Sequence, residues 1–216
     1  MIGIVGGAGP LASALLYQLV VEEYYVRGIA QPEILLLNHS FPRGLTLEES
    51  IQNQARLEEE LQACLELLIQ AGASVVCIAC NTLHDFLKGP FEVPLIHLPE
   101  KVMGALQKEK MKKVGVLCTE TTRHSSLYQA EGVTFHYPSE SGQRSLNLVL
   151  DRILEGRVLQ EDSVRIHKLI MEMKEEQGIH GVVLGCTDLS LLNYRYPLHC
   201  EGVRLFDSIK ILAKEL

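Results

Sequence analysis

Two stretches of this chain run through the same features in the same order, and that repetition constrains the fold more than any other property of the sequence. The first passes from Ile2-Gly3-Ile4-Val5 to Ser13-Ala14-Leu15-Leu16-Tyr17-Gln18, then to Gly72-Ala73-Ser74-Val75-Val76 ahead of Cys80-Asn81-Thr82, and last to Val93-Pro94-Leu95-Ile96. The second passes from Val114-Gly115-Val116-Leu117 to Ser125-Ser126-Leu127-Tyr128-Gln129, then to His180-Gly181-Val182-Val183-Leu184 ahead of Cys186-Thr187, and last to Val203-Arg204-Leu205-Phe206. Two similar units that face each other bring the Cys80 and Cys186 loops to opposite walls of one cleft.

The apolar runs are short, β-branched and bounded by small or polar residues, as strands buried on both faces are. They predict strands at residues 1–5, 33–37, 74–78, 94–97, 113–117, 132–135, 181–184 and 203–206. Helical patterns separate them. Pro10 suits a first helical position, with a helix over 11–27 behind it. Thr46-Leu47-Glu48-Glu49 has the form of a capping box opening a helix that runs to about Gln70, with Gly72 as its stop; a further helix over 162–177 stops at Gly178. The alternation predicts an α/β fold of two similar Rossmann-like parallel-sheet domains related by pseudo-twofold symmetry. The expected boundaries are 1–98 and 99–206, with a C-terminal helix over 207–216 joined to the first domain. The length of 216 residues fits one or two domains.

Charge and composition exclude several classes. A net charge of −7 lacks the basic face that broad nucleic-acid binding needs. No apolar run is long enough for a membrane span. The N-terminal Met1-Ile2-Gly3-Ile4-Val5-Gly6 carries no basic export signal, and Cys77, Cys80, Cys118 and Cys186 sit in or just after apolar strand-like runs. The expectation is a cytoplasmic chain with reduced thiols.

The cysteine loops carry the chemistry. Cys80-Asn81-Thr82-Leu83-His84 follows directly on a strand, where open parallel sheets bind ligands, and residues 82–85 suggest a helix start. A thiol before a helix N-terminus has a lowered pKa, and the free N–H groups there hold carboxylates. Gly185-Cys186-Thr187-Asp188 repeats the arrangement, with Thr187 as an N-cap or carboxylate donor. Either loop alone also fits a capped helix behind a structural cysteine. Together they fit a reaction that takes a proton from one face of a carbon and returns one to the other. Such a reaction wants a base and an acid on opposite sides of a cleft poor in water.

With these residues in view, the chain resembles the aspartate/glutamate racemase family over nearly its full length. The matches are Gly6-Gly7-Ala8-Gly9-Pro10, Cys80-Asn81-Thr82-Leu83-His84, Thr119-Glu120-Thr121-Thr122 and Gly185-Cys186-Thr187-Asp188. The resemblance implies a racemase that needs neither pyridoxal phosphate nor metal, with its amino-acid substrate between catalytic Cys80 and Cys186. It implies substrate contacts from Gly7, Asn81, Thr82, Thr122 and Thr187, with His84 and Asp188 supporting the cysteine loops. The assembly expected with it is a homodimer. Two departures bear on substrate choice. Aspartate racemases tend to carry Asp-Arg-Thr after the second strand; here Arg43 is the equivalent, without the flanking Asp and Thr. A lysine that the family often places before the glycine at 156 is absent, and Leu154-Glu155 stands there.

Gly7-Ala8-Gly9-Pro10-Leu11-Ala12 fits a dinucleotide turn, but Leu37 and Asn38 stand where a ribose-binding acid belongs. Cys77-Ile78-Ala79-Cys80 is a single C-x-x-C with no partner pair for zinc. Within the wider superfamily, a dicarboxylate cis–trans isomerase, a decarboxylase or a hydantoin-type racemase share the fold. An inactive small-molecule binding relative is the alternative of another class.

Overall fold

The computed structural model describes every residue except 43–46, and Leu47 by its backbone alone. The capping-box threonine and Arg43 therefore lie outside the described residues. Eight strands form two sheets. In the first, β1 (Ile2–Gly6), β2 (Ile34–Asn38), β3 (Val75–Ile78) and β4 (Leu95–Ile96) lie in the order β2-β1-β3-β4. In the second, β5 (Lys113–Leu117), β6 (Thr134–His136), β7 (Gly181–Leu184) and β8 (Arg204–Asp207) repeat it as β6-β5-β7-β8. Every pairing is parallel. The order reverses between the two middle strands of each sheet, and that switch point is where α/β sheets open a crevice at the carboxyl ends of their strands.

Nine helices stand among the described residues: α1 (Pro10–Arg27), α2 (Leu47–Gln52), α3 (Gln54–Gln70), α4 (Leu98–Lys108), α5 (Glu120–His124), α6 (Glu140–Leu154), α7 (Gln160–Gln177), α8 (Thr187–Arg195) and α9 (Ser208–Glu215). Pro10 opens α1, and Gly28 and Gly178 end α1 and α7 in the left-handed conformation. The helix expected to run unbroken to Gln70 is instead two. Asn53 interrupts it, its side-chain Nδ2 donating to Glu49 O at 2.7 Å. The Asn53 N–H donates to the same carbonyl at 2.9 Å, so the break lies in the backbone angles of Asn53, φ −97° and ψ 7°, rather than in a lost ladder bond. The break turns α2 toward α5 and places Ser50 on the cleft.

The core has two parts. Val5, Leu57, Leu61, Leu65, Leu68, Val76 and Ile78 close the face of the first sheet beneath α3. The larger cluster is continuous from Ile4 and Leu16 through Leu98 and Val102 to Val116, Val183, Leu189 and Leu212, so the two sheets share one apolar interior. The chain returns at its end to pack α9 on α1 and α4. Among the described residues no helix is long and apolar enough to cross a membrane.

The turn after β1 is built tightly. Gly7 has φ 115°, and a Cβ there would lie 1.6 Å from His39 O. Gly7→Ala therefore meets both a left-handed strain and a backbone clash, and its unfolding free energy should fall by about 3 kcal/mol. Urea titration of both proteins checks this; an unchanged midpoint refutes it.

Candidate active site

Four loops leave the carboxyl ends of the middle strands and converge on one cavity of about 280 Å³. Ala8 and Gly9 follow β1, Cys80 to Leu83 follow β3, Thr119 to Thr121 follow β5, and Cys186 to Asp188 follow β7. Cys80 and Cys186 thus line the same space, one from each sheet, as the repeat predicts.

Each cysteine loop is tied to the other's strand. Thr187, next after Cys186, donates its hydroxyl to Ala79 O, just before Cys80, at 3.2 Å. Asn81, next after Cys80, places Nδ2 3.4 Å from Ser208 Oγ, which donates to Leu184 O at 2.8 Å, two residues before Cys186. Thr187 is the first residue of α8 rather than its N-cap; Cys186 holds the cap position without a side-chain capping bond. The threonine hydroxyl is spent on bridging the two units.

Both thiols lie on the protonated side. Burial pushes Cys80 up to about 11, against the pull of N–H groups from Leu83 and Thr82. Burial and then the Asp188 charge hold Cys186 well above the ordinary thiol range. The lowered pKa expected for Cys80 is not found, because desolvation outweighs the donors of a single turn of 3-10 helix, Thr82–Phe86. The Cys186 Sγ lies 3.7 Å from Asp188 Oδ2, toward which its proton points. Asp188 in turn stands over the start of α1, where a Cβ on Gly9 would come within 2.5 Å of Oδ1. A carboxylate at a helix N-terminus is favoured there. It fills the position a dinucleotide phosphate would need.

His84 is buried and lines no part of the cavity. Its Nδ1 lies 2.7 Å from Cys80 O, and its Nε2 accepts from the Leu98 N–H at 3.2 Å. The second bond fixes the tautomer, so Nδ1 carries the proton and donates to the cysteine carbonyl. Burial holds its pKa down to about 3, so the ring is neutral. It stacks edge-on against His97 at 4.6 Å.

Not every residue singled out in the sequence reaches the cavity. Gly7 is behind the wall, its amide donating to Ser13 Oγ at 3.3 Å, and the adjacent Ala8 and Gly9 border the space instead. Thr122 is also set back: its hydroxyl meets Thr82 Oγ1 at 2.9 Å, and Thr119 Oγ1 lies 3.2 Å from it. Thr119 and Thr121 line the cavity in its place. Cys118 is buried beside the second loop, a Cβ on Gly185 lying 3.2 Å from its own.

The structure adds residues that single-sequence reasoning missed. Ser50 and Thr121 meet across the mouth at 3.0 Å. Glu120, Asn147 and Asp151 form the polar rim, with Asn147 Nδ2 donating to Glu120 Oε1 at 3.4 Å. Leu57, Phe86, Leu150 and Leu154 make the far wall apolar. Leu154 occupies the place noted for its missing lysine. Among the described lining residues there is no lysine, arginine or histidine. The described residues also contain no cluster of three or more His, Cys, Asp or Glu suited to a metal ion.

Comparison with known proteins agrees with this arrangement. The family described as Asp/Glu/Hydantoin racemase matches residues 5–216. A glutamate racemase of Aquifex aeolicus (strain VF5) is 30% identical over 183 residues, covering 81% of this chain and 67% of the relative. The chain spans 60% and 61% of two further glutamate racemases, so it is shorter than these relatives. Among solved structures, an aspartate racemase homologue from Pyrococcus horikoshii OT3 superposes with a TM-score of 0.74 at 25% identity, covering 99% of this chain and 96% of that one. The Picrophilus torridus aspartate racemase has a TM-score of 0.79 at 19% identity, covering 98% and 90%.

Proposed function

Because the chain belongs to the Asp/Glu/Hydantoin racemase family, we propose that it is a cofactor-independent racemase in which Cys80 and Cys186 interconvert the L and D forms of an amino acid, aspartate or glutamate first. The observation that carries this reading is the pair of cysteines on one cavity, each at the end of a corresponding strand of a repeated sheet.

One sulfur, as thiolate, takes the α-proton; the other, as thiol, gives its proton to the opposite face, and the roles reverse for the other enantiomer. The two sulfurs are activated differently. Cys186 can pass its proton to Asp188, 3.7 Å away. A Cys80 thiolate is met by the Thr82 and Leu83 N–H groups and the Thr82 hydroxyl. Asn81, Thr82 and the backbone N–H of Thr187 bind the α-carboxylate and amino group, and His84 holds the Cys80 peptide in place. Gly7 and Thr122 act at one remove, through the turn and through Thr82.

Two further proposals concern setting. The six cysteines are free, which suits the reducing cytoplasm. The exposed Tyr25, Val26 and Ile29 at the end of α1 suit a homodimer contact. We divide the chain at 1–98 and 99–206, with 207–216 returning to the first unit, as the packing of α9 on α1 supports.

A second reading concerns the side chain. The described wall offers apolar groups and rim acids but no cation, which favours a neutral substrate. Arg43, next in sequence after the lining residue Pro42, is the candidate that decides between them. A charge-assisted pair contributes about 1.5–3 kcal/mol, so Arg43→Ala should slow acidic substrates by about ten- to a hundredfold and neutral ones little. The measurement is α-proton exchange in deuterium oxide, read by NMR, for aspartate, glutamate and two neutral amino acids with both proteins. Exchange of none by the wild type sinks the racemase reading. An equal fall for all four, or no change, removes Arg43 as the selector.

A further inference from the structure

Asn81 lines the cavity directly after Cys80, yet both ends of its amide are held by groups that do not line it. The Tyr128 hydroxyl donates to Asn81 Oδ1 at 2.7 Å. Asn81 Nδ2 lies 3.4 Å from Ser208 Oγ, and that hydroxyl donates its own proton to Leu184 O at 2.8 Å. The last bond orients the amide: a hydroxyl whose proton is committed to a carbonyl can only accept from Nδ2, so Oδ1 must face the tyrosine. Burial keeps the Tyr128 phenol protonated, and therefore a donor. Tyr128 is 3% and Ser208 0% exposed, while their partner Asn81 is 1% exposed. An amide nitrogen carries two hydrogens. Ser208 takes one, and the other is left for the cavity.

We propose that Tyr128 and Ser208 are positioning residues that lock the Asn81 amide with its free N–H toward the substrate, as a donor to the α-carboxylate. A flipped amide would offer the carboxylate an oxygen instead, losing a bond and adding repulsion. Each positioning residue comes from outside the Cys80 loop. Tyr128 lies in the segment after α5, and Ser208 opens α9. Tyr128 of the second unit and Ser208 of the returning C-terminal helix therefore dictate together what the Cys80 loop presents. The inference rests on the reading that the cavity takes an amino acid, and deepens it by naming what sets the polarity of one wall.

Tyr128→Phe removes only the hydroxyl and keeps the ring near Phe135, whose centroid is 6.1 Å away. We expect its KM for aspartate or glutamate to rise about tenfold, equivalent to about 1.4 kcal/mol, with kcat changed less than about twofold. Ser208→Ala should do the same. In an Asn81→Ala background, Tyr128→Phe should add nothing, because its effect passes through that amide. If Asn81→Ala does not fold, the double variant Tyr128→Phe/Ser208→Ala decides: its KM shift should fall short of the product of the two single shifts. An unchanged KM in Tyr128→Phe, or shifts that multiply in full, overturns the positioning role while leaving the racemase reading intact. A wild-type protein that neither binds an amino acid by calorimetry nor racemises one overturns that reading, and this proposal with it.

Discussion

Cys80→Ala and Cys186→Ala should each lose racemisation by a thousandfold or more, while their melting temperatures stay close to that of the wild type. A positioned acid or base contributes about 10²–10⁴ in rate, and in the proposed mechanism each variant lacks one of the two that every turnover needs. Both side chains line a cavity rather than fill the core, so removing a sulfur leaves the apolar interior intact. The informative residue of activity is exchange without inversion. Cys186→Ala keeps Cys80, which can still remove and return the α-proton of the enantiomer that faces it. In deuterium oxide each variant should wash the proton from one enantiomer only, and the two variants should choose opposite enantiomers. Substantial racemisation by either single variant, or exchange of both enantiomers by one of them, rules out the two-base arrangement.

Alkylation of the thiols should accelerate steeply and continuously with pH. The thiolate is the nucleophile, and its fraction grows tenfold per unit of pH below the pKa. With Cys80 held at about 11, its rate with iodoacetamide should climb about a thousandfold between pH 7 and 10 and not level off there. Cys186, also raised, should show no plateau either. The same shifts act on stability. A thiol whose folded pKa lies above its unfolded value stabilises the fold fully below the unfolded pKa, about 8.5. That contribution is lost as pH rises toward the folded value, because the unfolded chain then holds fewer protons. Unfolding free energy should therefore fall between pH 9 and 11, and less so in Cys80→Ala. A plateau in alkylation near pH 7 would show that the empty site already holds a thiolate.

The strands were legible because each is a short apolar run between glycines and polar residues, and all eight fall within two residues of their expected ends. The break at Asn53 was not, since no proline or glycine marks it and it consists of a change in the backbone angles of one residue. The cysteine pair was legible from the repeat. Its protonation was not, because a sequence shows the donors of a helix start but not the depth of burial that outweighs them. The repeat also hid a difference. Tyr17 and Tyr128 occupy matching places, yet Tyr17 is 46% exposed while Tyr128 is 3% exposed and bonded to Asn81. A pattern of residue types cannot tell which copy has been turned inward. Arg43, on which substrate choice turns in the sequence, falls outside the described residues.

The crossed bonds beneath the cysteines also govern how the molecule can move. Thr187 to Ala79, and Asn81 through Ser208 to Leu184, fasten the floor of the cleft, while the mouth is bridged by the Ser50–Thr121 contact. A rotation that keeps the floor bonds must pivot on them, as a jaw pivots on its joint. Near the joint, displacement is small; at the lips it is large. The Ser50–Thr121 contact, between α2 and α5, lies on the far side of the cavity from that joint, while the two cysteines sit beside the joint. The bonds that join the two sheets are thus the ones nearest Cys80 and Cys186, so the separation of the two sulfurs is fixed by the most tightly fastened part of the cleft.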